Sequence, residues 1–127
     1  MDKYINSLSK EEQIDAITKI SNVIQYIKDP CLDIQLAAVN KFGYSIKYIK
    51  NPYLEVQLVA VRHHGINIQH IENPGYEVQQ ISIQQNYNKE YFEYIKPYIT
   101  YPDLLELLEL KILSADTSND INIWALI

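Results

Sequence analysis

The side chains best equipped for chemistry are few, and most stand mid-chain. The run "RHHGINIQH" holds Arg62, His63, His64 and His70. Imidazoles titrate near neutral pH and are common metal ligands. On a helix, however, the adjacent His63 and His64 point about 100° apart, so they do not readily share one ion. His63 and His70 fall on different predicted helices, and no third ligand stands at a matching spacing. No metal and no other cofactor is therefore expected. Cys31 is the single cysteine. It cannot form an internal disulfide, and it fits a reducing compartment. A predicted helix N-terminus beside it would lower its pKa, but nothing pairs it with a base. The chain has no Gly-rich phosphate loop, no Ser-His-Asp spacing and no zinc-finger spacing. What remains is the chemistry of contact: tyrosines, acids, and a histidine cluster that is either plain surface or a pH-sensitive, partner-touching patch.

These residues sit on a repeat. "IKDPCLDIQLAAV" (27–39), "IKNPYLEVQLVAV" (49–61) and "IENPGYEVQQISI" (71–83) recur every 22 residues. Pro30, Pro52 and Pro74 are in phase, as are Gln13, Gln35, Gln57 and Gln79. Residues 8–29 read as a degenerate first copy, followed by 30–51, 52–73 and 74–96. Pro97 comes 23 residues after Pro74, which implies one inserted residue. Four copies exceed the roughly three that a repeat array needs to bury a continuous core.

Each copy reads as two short helices. Asp29, Asn51 and Asn73 stand before the prolines as expected N-caps, with proline at the first helical position. Asp33, Glu55 and Glu77 follow, near the positive end of the helix dipole. Ile34, Ala37 and Ala38, then Val56, Val59 and Ala60, keep the i, i+3, i+4 spacing of a buried helix face. Ala38, Ala60 and Ser82 are small enough for close helix approach. Gly43 and Gly65 are expected to end these helices in the left-handed conformation. A second helix follows, burying Ile46 and Ile49, then Ile68 and Ile71. Ser9 with Glu12 forms a capping box for the first copy. Pro102 opens a C-terminal helix whose Asp103, Glu106 and Glu109 lie on a solvated flank while its leucines face inward. The tail "INIWALI" either seals the last copy through Trp124 or offers a partner-facing patch. The predicted fold is all-α: an α-solenoid of four helix pairs with a C-terminal cap, 97–127, in one domain.

The pattern I-x-N-P-x-x-x-V-Q-x-x-A-V…G-x-x-I-x-x-I resembles a short α-helical repeat of bacterial and phage proteins of unknown function. It is similar to HEAT-like helix pairs, though shorter. The resemblance covers about residues 8–96 and brings no catalytic residue with it. It implies an interaction domain, and for a phage-encoded member an inhibitor of a bacterial defence protein. The wealth of Ile, Tyr, Asn and Lys suits an AT-rich genome.

Composition narrows the partner. The chain of 127 residues carries a net charge of −5. Residues 1–64 hold 8 Lys/Arg against 7 Asp/Glu, and residues 65–127 hold 3 against 9. An acidic second half argues against nucleic-acid binding, which needs many cations. It serves either solubility or a basic partner. No apolar run approaches the ~20 residues of a membrane span, and "MDKYINSLSKEEQ" lacks a signal-peptide core. A cytoplasmic monomer is expected.

Positions that vary between copies are the better site candidates. Tyr26, Tyr48 and His70 share one slot, and Lys28, Lys50 and Glu72 another. These rings either pack between copies or form a binding row. The glutamine ladder either bonds the backbone of adjacent copies or receives a peptide. The expected partner-binding set is Tyr48, Arg62, His63, His64, His70, Glu72, Glu90 and Glu93. The function expected is a non-enzymatic protein-interaction module. The alternative is a small HEAT-like nucleic-acid-binding protein or enzyme, using Lys28, Lys47, Lys50 and Arg62.

Overall fold

A computed structural model describes residues 2–85 and 88–116. The apolar tail with Trp124 lies outside the described residues. Within them the chain is all-helical. Its α-helices are α1 (Asp2–Ser7), α2 (Lys10–Lys19), α3 (Leu32–Lys41), α4 (Leu54–His63), α5 (Tyr76–Gln84), α6 (Lys89–Ile95) and α7 (Pro102–Asp116). Between them run 3-10 helices: η1 (Ser21–Tyr26), η2 (Gly43–Tyr48), η3 (Gly65–His70) and η4 (Lys96–Tyr98). α3 packs between α2 and α4, and α4 between α3 and α5; η1, η2 and η3 touch one another in the same order.

The 22-residue phase is a phase of burial. Ile17, Val39, Val61 and Ile83 stand one period apart and are all fully buried. Ile24, Ile46 and Ile68 form a second fully buried row from the 3-10 helices. Neither helix type would persist alone at this length, so the rows that join one copy to the next supply the stability.

Three local expectations are corrected. First, Asp29, Asn51 and Asn73 are not N-caps. The helices begin two residues later, with Cys31, Tyr53 and Gly75 in the cap position and no side-chain cap bond. Asp29 (φ 48°) and Asn73 (φ 51°) instead take the left-handed conformation and turn the chain. Asn and Asp tolerate that region better than other non-glycine residues. Second, Gly43 and Gly65 are not left-handed, since no described glycine has positive φ. α3 and α4 end at Phe42 and His64 in extended geometry. The glycines are needed for close approach. A Cβ on Gly43 would lie 2.7 Å from that of His63, and one on Gly65 would overlap the Tyr91 hydroxyl. Third, the leucines of α7 do not all face inward. Leu104 and Leu108 are buried, but Leu110 and Leu113 are exposed.

The ends depart from the repeat. The Ser9–Glu12 capping box forms as expected, and α1 precedes it. Asn6 fastens α1 to the end of η1 by donating to the Tyr26 carbonyl (2.7 Å) and accepting from the Lys28 amide (2.8 Å). At the other end the insertion is longer than the spacing of Pro97 suggests. Tyr101, not Tyr98, takes the place of Gly75, because its carbonyl accepts the first helical bond, from the Leu105 amide (2.9 Å). Where the earlier copies have a single 3-10 helix, this one has α6 and η4.

Candidate functional site

The glutamines build the edge on which the candidate residues sit. Gln35, Gln57 and Gln79 each donate from Nε2 to the carbonyl of their own copy's proline, Pro30 (3.0 Å), Pro52 (3.1 Å) and Pro74 (2.8 Å). In Gln35 and Gln79 the other face joins the segment that follows the copy. Gln35 Oε1 accepts from the Tyr53 amide (3.2 Å), and Gln79 Oε1 from the Thr100 amide (2.8 Å). Gln13 has no proline before it and donates to the Ile5 carbonyl of α1 (2.9 Å). Gln35, Gln57 and Gln79 thus each satisfy a proline carbonyl that lies outside any helix.

The ladder fixes the turns in a row, and the residues between them line two neighbouring cavities. The first, about 340 Å³, lies between the first two proline turns and is lined by Asp29, Pro30, Gln35, Tyr48, Lys50 and Tyr53, among others. The second, about 290 Å³, is lined by Lys50, Asn51, Pro52, Gln57, Glu72 and Asn73. Lys50 belongs to both, so Tyr48, Lys50 and Glu72 follow one edge.

Tyr48 is half-buried against the core. The Lys47 ammonium stands 5.0 Å from its ring centroid and 5.7 Å from that of Tyr44, a cation–π arrangement. Lys47 also faces His70. Burial first, and the Lys47 charge second, hold the His70 imidazole below its usual pKa, favouring the neutral ring. Farther along, the Tyr94 hydroxyl of α6 donates to Gln69 Oε1 of η3 (2.7 Å).

The histidines and Arg62 do not form one cluster. Arg62 and His63 line a shallow depression with Val59 on α4. His64 opens onto a different one, with Ile66, Asn88 and Tyr91. Glu90 and Glu93 are exposed on α6, where Glu93 lies 4.0 Å from Lys89. Among the described residues no group of three His, Cys, Asp or Glu is placed to hold a metal.

Sequence reasoning passed over Tyr53. It is 52% exposed and shares the first cavity with Tyr48. Cys31 is exposed, at the α3 cap. No helix among the described residues is long and apolar enough to cross a membrane.

Comparison with protein-family models, with curated proteins and with solved structures finds no match to this chain.

Proposed function

We propose that this chain is a non-enzymatic protein-interaction module: a monomeric α-solenoid of short repeats that receives a protein partner along its turn edge. The observation that supports this reading best is the first edge cavity, where Tyr48 and Tyr53 flank Lys50 on turns held by Gln35. Tyrosine supplies contact area with little rotamer entropy to lose, and held backbone lowers the ordering cost of binding. The acidic run from Glu72 to Glu93 favours a partner with a basic patch, by steering its approach. A phage or mobile-element inhibitor of a bacterial defence protein is the most concrete form of such a module.

Immobilised full-length chain, exposed to lysate of a low-GC bacterium, tests the reading. The expected result is one stoichiometric protein, lost with Tyr48→Ala plus Tyr53→Ala and unaffected by nuclease. Recovery of nucleic acid instead would transfer the reading to the Lys28, Lys47, Lys50 row and a nucleic-acid-binding protein.

A further inference from the structure

The two turn-edge cavities are one cavity repeated. Moved forward by one period of 22 residues, Asp29, Pro30, Gln35 and Lys50 of the first become Asn51, Pro52, Gln57 and Glu72, which line the second. Their walls differ. The first has an apolar floor of Ile24, Ile27 and Ile49 beneath the rings of Tyr48 and Tyr53. At the place of Tyr53 the next copy has Gly75, with nothing within 4 Å of where its Cβ would stand. Apart from Pro52, the residues that line the second cavity are polar or charged.

The ladder is also open at the second cavity. Gln35 and Gln79 are buried, and each Oε1 accepts an amide, of Tyr53 and of Thr100. Gln57 between them is half-buried. Its Nε2 donates to Pro52, and its Oε1 accepts no hydrogen bond among the described residues. Glu72 borders the same space and has no ion-pair partner among the described residues. Two acceptors without a donor thus share one cavity. Arginine carries a planar fork of five donors that serves two acceptors at once, which a lysine ammonium does less well. The spacing of the cavities sets the spacing of the ligand. They lie on successive copies, and packed helices stand about 8–10 Å apart. A polyproline II segment has three residues per turn and a rise of about 3.1 Å, so its side chains i and i+3 share a face about 9 Å apart. In a β-strand the same two side chains would point to opposite faces.

We propose that the turn edge receives a polyproline II segment of a partner protein, with an aromatic side chain in the first cavity and, three residues away, an arginine between Gln57 and Glu72 in the second. This deepens the reading of the chain as a protein-interaction module and rests on it. The probe is a capped synthetic peptide of about nine residues, three polyproline II turns. It carries phenylalanine and arginine three residues apart among prolines and serines. It is titrated into the full chain by calorimetry.

Glutamine in place of the peptide's arginine, serine in place of its phenylalanine, or the two anchors set side by side should each weaken binding about tenfold, as for loss of one anchoring contact. Lys50, Tyr53 and Glu72 are exposed, so substitutions there should leave the helical circular dichroism unchanged. Glu72→Gln should weaken the arginine peptide and not its glutamine control. Tyr53→Ala should weaken both. Lys50→Gln removes a like charge and should tighten the arginine peptide. No binding, or binding indifferent to the arginine or to the spacing, overturns the proposal. Weaker binding by Lys50→Gln would mean an anionic ligand and also overturn it. If the peptide fails while Tyr48→Ala plus Tyr53→Ala still releases the lysate partner, the paired anchors fall alone. If both fail, the interaction reading falls with them.

Discussion

At the scale of single residues, the ladder glutamines differ in how much depends on them. Gln79 is fully buried and makes three bonds, to the Pro74 carbonyl and to both the hydroxyl and the amide of Thr100. Gln57 is half-buried, and its Nε2 serves the Pro52 carbonyl. Removing a partner from a buried polar group costs about 1–3 kcal/mol, far more than the net value of the bond itself. Gln79→Ala should therefore fall at the top of that range, and Gln57→Ala at or below its bottom. Urea denaturation of the two variants checks the order; equal losses would mean that the Thr100 bonds contribute nothing. His70 supplies a pH dependence. Its folded pKa lies below the usual value of 6.5 because burial and Lys47 disfavour the cation. The unfolded chain thus takes up the proton first, and stability falls as pH drops from about 6.5 through the lower folded value. His70→Gln should flatten the denaturation midpoint across that window. An unchanged slope would show that the ring titrates as in water.

At the scale of elements, the caps and glycines have separable costs. Ser9, Cys31, Tyr53 and Gly75 occupy the same cap position, and of these Ser9 alone has a side-chain cap bond, accepting from the Glu12 amide at 3.2 Å. Ser9→Ala should cost about 1 kcal/mol, the usual loss for a cap. Asn51→Ala should cost less, because Asn51 precedes the α4 cap, Tyr53, by two residues. A larger loss at Asn51 would return the helix start to the proline. The glycines follow from space. Gly65→Ala drives a Cβ into Tyr91, and Gly43→Ala into the His63 Cβ, whereas Gly75 has nothing within 4 Å and a φ of −76° that alanine adopts freely. The first two should lower the melting temperature by several degrees. Gly75→Ala should raise stability by about 0.4–1 kcal/mol, through a less entropic unfolded chain. A destabilised Gly75→Ala would mean that the cap needs glycine.

These elements also show what the sequence made legible. Period and apolar spacing located the repeated helices and the 3-10 row of Ile46 and Ile68, because burial repeats with the phase. They do not single out the row of Ile17, Val39, Val61 and Ile83, and Ala37 and Val59 are only half-buried. Cap chemistry misplaced the starts, because Asn-Pro serves equally as a cap or as a turn. The rule that glycine follows a helix hid the real cause at Gly43 and Gly65, which is a neighbour contributed by another copy. α1 has only the weak signal of Tyr4, Ile5 and Leu8 at helical spacing, whereas the capping box of Ser9 marks a helix start plainly. Of the expected site residues, Tyr48 and Glu72 lie along one turn edge, joined by Lys50. The histidines are placed apart. Adjacent on paper, His63 and His64 open onto different depressions, since the chain leaves α4 between them.

At the scale of the whole molecule, the proposed solenoid has a consequence that a closed globule does not share. Its contacts run from each helix to the next, so a disturbance should be felt by immediate neighbours and fade beyond them. Val39 and Val61 occupy one slot on the touching helices α3 and α4, both fully buried. Ile17 and Ile83 occupy that same slot on α2 and α5, with the α-helices α3 and α4 between. Truncating each to alanine leaves a cavity that adjoining side chains can partly share. The Val39→Ala, Val61→Ala cycle should show an interaction energy of at least about 0.5 kcal/mol. The Ile17→Ala, Ile83→Ala cycle should be additive within about 0.3–0.5 kcal/mol, as for sites without shared partners. Denaturant titrations of the six variants give both quantities, with Val in place of Ala at the isoleucines should the double variant unfold. Coupling as strong between Ile17 and Ile83 as between Val39 and Val61 would mean that the ends meet. The row of turns would then close on itself instead of offering an open edge, and both the solenoid and the partner surface proposed on it would fall together.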